Sequence, residues 1–322
     1  MDRLSTLLER LGVDVPVLQA GMGGGVAGAK LAAAVSQAGG LGTIGILPPP
    51  VLRKELMRAR GLTDRAIAIN VLLPFARPEH WDVAREADAV VTFWGAPARR
   101  TAAVWIHQCG SLAEAHAAHA AGADAVIVQG VEAGGHVRGT VPALALLEQV
   151  RAAMPDYPVL VAGGVATAAD VRTALAAGAT GVVAGTRFLL SDESAAHLDY
   201  KRRAMEASRT LLTELFGFGW PAPHRVIPNG ATDRWLRRNP RGPAAVRAVH
   251  RITAPIGPLL PLSVADRIAR SQRLGIPLYG PSAPLAQWPD HLLDAAPLYA
   301  GETVLRIRDI RPAAELVREL GS

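Results

Sequence analysis

His136 stands directly behind two glycines in VQGVEAGGHVRG (residues 128–139), where an apolar, strand-like run gives out. An imidazole titrates near neutrality, so it suits general-base or hydrogen-bonding work. Gln129, at the end of the run, carries a carboxamide that can pair with the edge of a heteroaromatic ring. Gly134 and Gly135 let backbone pass close to a planar ligand. The bland alternative for His136 is a loop histidine without a task. Its place beside two glycines at a strand end favours the active reading.

A second stretch, AGGVATAADVRTALAAGATGVVAGTRF (162–188), offers anion chemistry. Gly163-Gly164 and Gly185-Thr186 each end a strand and precede a helix. Bare amides at such turns hold phosphate, and Thr186 adds a hydroxyl donor. The competing explanation is that the glycines only permit helix–sheet packing. GMGGGVAG (21–28) contains G-x-G-x-x-G as Gly23, Gly25 and Gly28. That dinucleotide pattern wants an acid at the end of the second strand. The next acid here is Glu55, so the loop reads as a tight turn approaching a bound ring. Asn70, ending AIN, is a buried amide in want of a partner, which a ligand would supply. His107 in WIHQCG is a pocket-lining candidate, and Cys109 beside it reads as packing. His116 and His119 sit on an Ala-rich helix and read as exposed.

The elements that must position these groups alternate in type. Strand candidates are VPVLQA (15–20), LGTIGI (41–46), AIAINVLL (66–73), AVVTFW (89–94), AVWIHQ (103–108), AVIVQG (125–130), PVLVAGG (158–164) and GVVAGT (181–186). Helical segments fall between most of them, at 28–38, 50–59, 78–87, 112–121, 142–153 and 168–177. Strands apolar on both faces imply parallel strands covered by helices. AHAAGADAVIVQG and LAAGATGVVAGT look like copies of one βα unit. Eight such strands predict an α/β fold, a TIM (β/α)8 barrel, with an open doubly wound sheet as the alternative. Only GAPARRTA separates Trp94 from Ala103, too short for a full crossover helix, so the fourth helix is expected to be reduced or lost.

After Phe188 the character changes. Residues 200–251 carry eleven Lys or Arg against Glu206, Glu214 and Asp233, and proline-rich runs follow. These mark a second, mainly helical lobe at 208–300, a substrate or cap lobe inserted near the C-terminus. The barrel is expected to occupy 1–207 and to be closed by 301–322, where PAAELVREL reads as a helix.

Composition limits the classes. Half of the 322 residues are hydrophobic and only 5% aromatic, so the core is aliphatic. The net charge of +6 rests almost entirely on Arg. The Arg-rich residues 200–251 read as a solvated helical face rather than a site for an acidic carrier protein or a nicotinamide phosphate, and no nucleic-acid partner is expected. One cysteine excludes an internal disulfide and a Cys-based metal cluster, and no metal is expected. No apolar run reaches the ~18 residues that span a bilayer. The amphipathic start is not a signal peptide, so a cytoplasmic protein without membrane attachment is expected.

QAGM (19–22), AVSQAGGLGTIG (34–45), AIN (68–70), GADAVIVQGVEAGGH (122–136), VLVAGGV (159–165) and AGTRFL (184–189), taken in order, resemble the nitronate monooxygenase family. The resemblance covers about residues 14–206. It implies a TIM barrel that binds FMN, with the phosphate on Gly163, Gly164, Gly185 and Thr186. It implies that Gln19, Gly21, Met22, Asn70 and Gln129 line the flavin, with Gly134 and Gly135 alongside. It makes His136 the match to the family's catalytic histidine. Outside the resemblance, Tyr299 in PLYAGE reads as a residue within reach of the substrate pocket. The implied reaction oxidises an alkyl nitronate with O2 to a carbonyl compound and nitrite. The implied partners are a small-molecule substrate and O2, in a monomer or homodimer. Relatives with the same motifs are NAD(P)H-dependent enoyl-acyl-carrier-protein or quinone reductases, which is the alternative activity; a flavin-storing protein is the non-enzymatic one. Two features depart from the family pattern: the short link after Trp94, and Val137-Arg138 following His136.

Overall fold

The eight strands read from the sequence form one parallel sheet. The computed structural model describes residues 3–101, 103–255 and 267–322. In chain order the barrel strands are β1 (Val17–Gln19), β2 (Gly42–Ile44), β3 (Ile67–Leu72), β4 (Ala89–Phe93), β5 (Val104–Cys109), β6 (Ala125–Gln129), β8 (Val159–Ala162) and β9 (Gly181–Ala184). β7 (Gly135–His136) is a two-residue strand that lies elsewhere. The sheet runs β1-β9-β8-β6-β5-β4-β3-β2. A parallel bridge between Leu18 and Leu41 brings its two ends together. Gln19 N donates to Leu41 O at 2.9 Å and Leu41 N to Val17 O at 3.0 Å, so the sheet closes into a (β/α)8 barrel.

The chain divides into two compact units, residues 1–132, 138–194 and 309–322, and residues 133–137 and 195–308. In the first unit, alternate strand residues supply two cores. Leu18, Ala68, Val91, Val104, Ile106, Ala125, Ile127, Leu160 and Val183 fill the lumen. Helix α1 (Arg3–Arg10) adds Leu7 to that cluster. The residues in between, such as Trp105, Val126, Val128, Val159 and Val161, pack outward on the helices. These helices are α2 (Ala29–Gln37), α3 (Pro49–Arg60), α4 (Pro78–Ala84), α5 (Leu112–Ala120), α6 (Ala143–Ala153) and α7 (Ala168–Ala176), with a short α8 (Thr186–Leu189). α6 buries Leu146, Leu147 and Val150. Each contributes about 2 kcal/mol by leaving water.

As expected, no helix is found among the described residues between β4 and β5. Trp94 at φ 61° and Gly95 at φ 90° turn the chain there instead. Arginines cover the gap: Arg99 lies over the Trp105 ring and Arg138 over Trp94, at 5.7 and 4.7 Å. The C-terminal helix Ala313–Leu320 packs on α2 and α7. Arg187, buried on α8, donates to Asp309 Oδ1 at 2.6 Å and ties the returning tail to this unit.

The second unit contains α9 (Leu198–Glu206), α10 (Gly230–Trp235) and α11 (Ala244–Thr253). It also holds a small sheet absent from the sequence reading, in which β10 (Leu211–Thr213), β11 (His224–Val226) and β7 run antiparallel in that order. The proline-rich residues 256–262, read from the sequence as part of this lobe, lie outside the described residues.

Candidate active site

In the barrel unit, the alternation that builds the lumen also decides which polar groups face it. On β3, Asn70 shares the face of Ala68; on β6, Gln129 shares the face of Ala125 and Ile127. On β5, Val104 and Ile106 face the lumen, so the next residue in step is Gln108. Three neutral carboxamides therefore point inward at the C-terminal ends of three strands. Asn70 Nδ2 donates to Val91 O at 3.2 Å. Gln129 Oε1 accepts from Arg138 N at 2.9 Å.

His107 falls on the other face, with Trp105 and Cys109, and is turned toward the helix layer rather than the lumen. Its surroundings fix its state. Trp105 Nε1 donates to Thr92 Oγ1 at 2.7 Å, and Thr92 Oγ1 meets His107 Nδ1 at 2.7 Å. Indole is donor-only, so the hydroxyl accepts from it and gives its proton to Nδ1, leaving the imidazole hydrogen on Nε2. Burial lowers the pKa to about 4, with Glu114 raising it and Arg138 lowering it. The role read for His107 in a pocket is thus replaced by one in the barrel wall, and Gln108 is the lumen residue that sequence reasoning missed.

Gln19 is likewise spoken for. It shares the outward face of Val17, and its Oε1 accepts from Thr43 N at 3.1 Å, across the seam that closes the barrel. Gly21 has a packing reason: a Cβ there would lie 2.5 Å from Asn70 Cβ. Met22 is partly buried against the outer core.

The helix N-termini of this unit are largely self-satisfied. Glu55 Oε2 accepts from Ala29 N at 2.9 Å, so the glycine-rich loop before α2 presents its dipole to the chain's own carboxylate. Ser111 caps α5 and Thr167 with Asp170 caps α7. Glu132 Oε1 accepts from Ala143 N at 2.9 Å at the start of α6. The Glu132 carboxylate also fills the space over Gly163, where a Cβ would come within 3.0 Å of it. Gly163 and Gly164 adopt φ of 115° and 77°, a conformation that side chains resist. Gly185 has an ordinary φ of −103° and precedes buried Thr186. Arg138 donates from Nε to Glu114 Oε1 at 2.7 Å. Burial raises the Glu114 carboxyl, but hydrogen bonds from Arg138 and Gly110 N outweigh it and hold it below the usual range.

His136 belongs to the second unit. It forms β7 with Gly135, opposite β11, with His136 facing His224 and Gly135 facing Arg225. Gly134 is required because a Cβ would sit 2.4 Å from Gly301 N, and Gly135 because its φ is 73°. Both glycines therefore have reasons within the protein. Three aromatic neighbours surround the imidazole. Trp220 stacks on it at 3.7 Å between centroids and 25° between planes; Tyr299 lies at 5.3 Å and His224 at 5.5 Å. His224 is buried and locked: Nδ1 donates to Ala222 O at 2.9 Å and Nε2 accepts from Phe216 N at 3.2 Å. Burial lowers His224 to about 4 and puts His136 well below the usual imidazole value, with His224 adding to the latter. His136 is neutral at physiological pH. Tyr299, read from the sequence as within reach of the pocket, is beside His136, and its hydroxyl donates to Pro281 O at 2.9 Å. Trp220 carried no sequence signal of its own.

One further group has metal-like spacing, His197, Asp199 and Asp290. His197 Nδ1 accepts from Asp199 N at 3.2 Å as the cap of α9, and Nε2 faces Asp290 at 3.2 Å. Both ring nitrogens are engaged, which gives the cluster a structural explanation. No helix among the described residues is long and apolar enough to cross a membrane.

The first unit is thus a (β/α)8 barrel with carboxamides at the C-terminal ends of three strands, and the second holds a histidine set among aromatic rings. A family model described as nitronate monooxygenase matches residues 5–99 and 96–322. The chain belongs to the nitronate monooxygenase family, a family of oxidoreductases. It is 34% identical over 274 residues to the nitronate monooxygenase of Pseudomonas aeruginosa, covering 66% of this chain and 76% of that one. It is 36% identical over 244 residues to (3aS,4S,5R,7aS)-5-hydroxy-7a-methyl-1-oxo-octahydro-1H-indene-4-carboxyl-CoA dehydrogenase of Mycobacterium tuberculosis. That match covers 70% of this chain and 66% of the relative, just under two thirds of its length. Among solved structures, FabK from Thermotoga maritima superposes with a TM-score of 0.75 at 26% identity, covering 98% and 94% of the two chains. Nitroalkane oxidase from Streptomyces ansochromogenes gives 0.72 at 30% identity, covering 97% and 96%.

Proposed function

We propose that the protein is an FMN-dependent enzyme that oxidises alkyl nitronates with O2 to carbonyl compounds and nitrite. The observation that carries the reading is the trio of lumen-facing carboxamides, Asn70, Gln108 and Gln129, taken with membership of the family. Each amide offers a donor and an acceptor without charge, which suits the alternating N–H, C=O and bare-nitrogen rim of a flavin. α2, α5 and α6 start on the chain's own side chains, whereas α8 starts at Gly185 with no side-chain cap, so the backbone at Gly185 and Thr186, with the neighbouring turn at Gly163 and Gly164, is our assignment for the phosphate. A bound flavin supplies the electron-accepting chemistry, and the chain supplies position and electrostatics.

His136 is our catalytic residue. A buried, neutral imidazole is a weak base but a good N–H donor, so it suits binding and orienting an anion already formed. Nitronates are anions, whereas neutral nitroalkanes would first need a proton removed from carbon. The setting of His136 therefore favours the nitronate as the species taken up.

The test is an anaerobic visible spectrum of the flavin-loaded protein, mixed in parallel with propionate 3-nitronate and with NADH. Flavin reduction by the nitronate alone is expected. Rapid bleaching by NADH alone would replace the proposal with the reductase alternative. His136→Asn should retain flavin and lose at least about a hundredfold in turnover; full activity would remove His136 from the mechanism.

A further inference from the structure

We propose that Trp220 is the positioning residue for His136: its indole sets the plane of the imidazole and screens one face of it from water. This deepens the functional reading and rests on His136 being the active histidine. The two rings are near-parallel at 3.7 Å. Such contact removes rotation about the last side-chain bond of His136, which the backbone of a two-residue strand does not restrict.

Trp220 is itself held by its backbone. Trp220 N donates to Gly217 O at 2.9 Å, and Ala222 N donates to Trp220 O at 2.8 Å. Gly219, at φ 77°, makes the turn that brings the indole round. Two residues beyond Ala222 the chain enters β11, where His224 pairs with His136, and Pro223 O accepts from Val137 N at 2.8 Å. The segment 217–224 therefore builds both the partner strand and the stacked ring. Among the described residues, the titratable rings in contact with the imidazole are His224, neutral through burial and its two hydrogen bonds, and Tyr299, raised well above the usual phenol value by burial and Tyr200. Neither supplies charge at neutral pH, so screening from water governs the protonation of His136.

The experiment is an NMR titration of the full-length protein carrying 13C-labelled histidine, with His136→Asn and His224→Gln used to assign the two signals. No substrate is present. Trp220→Ala should raise the pKa of His136 by about one unit toward the free value while leaving His224 in place. Trp220→Phe, which can still stack, should restore wild-type titration. An unmoved His136 in the alanine variant overturns the proposal. So does an equal shift of His136 and His224, which would mean that the indole only holds the lobe together. If the alanine variant does not fold, Trp220→Leu serves, with a smaller shift of the same sign expected; a leucine variant titrating like wild type overturns the proposal. Nitronate turnover is assayed on the same samples. A wild-type protein that ignores nitronates would sink the assigned reaction yet leave the titration to decide the role of Trp220.

Discussion

Lowering the pH from 7 to 5 should destabilise the protein through two buried histidines, one in each unit. His107 and His224 each have a folded-state pKa of about 4 against 6.5 for the free group. Between those values the unfolded chain binds a proton that the folded chain refuses. Stability then rises with pH, so it is fully present above 6.5, is lost on acidification, and levels off near 4. At pH 5 the penalty is about 2 kcal/mol per histidine, and about 4 kcal/mol for the pair, relative to pH 7. The hydrogen bonds explain the refusal. A proton on His224 Nε2 would point at the Phe216 amide, and one on His107 Nδ1 would displace the proton of Thr92. His80, His136 and His250 are lowered too, mainly by burial, and act in the same direction. Glu114 and Asp124 titrate below this window: burial raises both, but hydrogen bonds from Arg138 to one and from Trp105 N and Arg99 to the other prevail. The assay is urea unfolding at pH 7 and pH 5 for wild type, His107→Gln, His224→Gln and the double variant. Each substitution costs stability at pH 7, but the loss between the two pH values should shrink by about 2 kcal/mol in each single variant and about 4 in the double. Variants that lose as much as wild type over this interval would refute the reasoning.

Two other perturbations test how the barrel mouth is built. Glu55→Ala removes the carboxylate at Ala29 N and should cost about 1 kcal/mol in urea unfolding. Flavin affinity should be unchanged, and a marked loss would move the phosphate to the glycine-rich loop before α2. Gly163→Ala places a Cβ at φ 115° and 3.0 Å from Glu132 Oε1, a strain of about 1–3 kcal/mol. It should weaken FMN more than riboflavin in fluorescence titrations, since riboflavin lacks the phosphate. Equal losses would remove Gly163 from the phosphate site.

The barrel was legible because its strands are short and apolar on both faces, and because turn residues separate them from Ala-rich helices. The missing helix after Trp94 was legible from length alone. The same two-faced character hid the orientation of β5. In AVWIHQ neither face is polar enough to betray which side is lumen, so histidine drew attention where Gln108 held the position. Contacts distant in sequence were also invisible: Glu55 on the start of α2, Glu132 on the start of α6, and the pairing of β7 with β11. A two-residue strand has no periodicity to detect, and Trp220 meets His136 only through the turn at Gly219.

This has a consequence for how far the GVEAGGH motif identifies a reaction. Glu132 ends one unit by capping α6 and filling the space at Gly163. Gly134 yields to the backbone at Ala300 and Gly301, and Gly135 supplies a positive φ. Arg138, where the chain rejoins the barrel unit, fixes the carboxamide of Gln129. Each of these tasks belongs to the architecture and would be needed whatever the barrel oxidises or reduces. The motif therefore serves the fold before it serves any one reaction, and the chain as a whole is similar to a nitronate monooxygenase and to a dehydrogenase alike. Within it, His136 is the residue whose chemistry depends on neighbours outside the motif, namely Trp220, His224 and Tyr299. If Trp220 positions His136 as proposed, differences in reaction between relatives should be sought in 217–224 and around Tyr299, because those residues would set whether the histidine is a dry hydrogen-bond donor or a hydrated base.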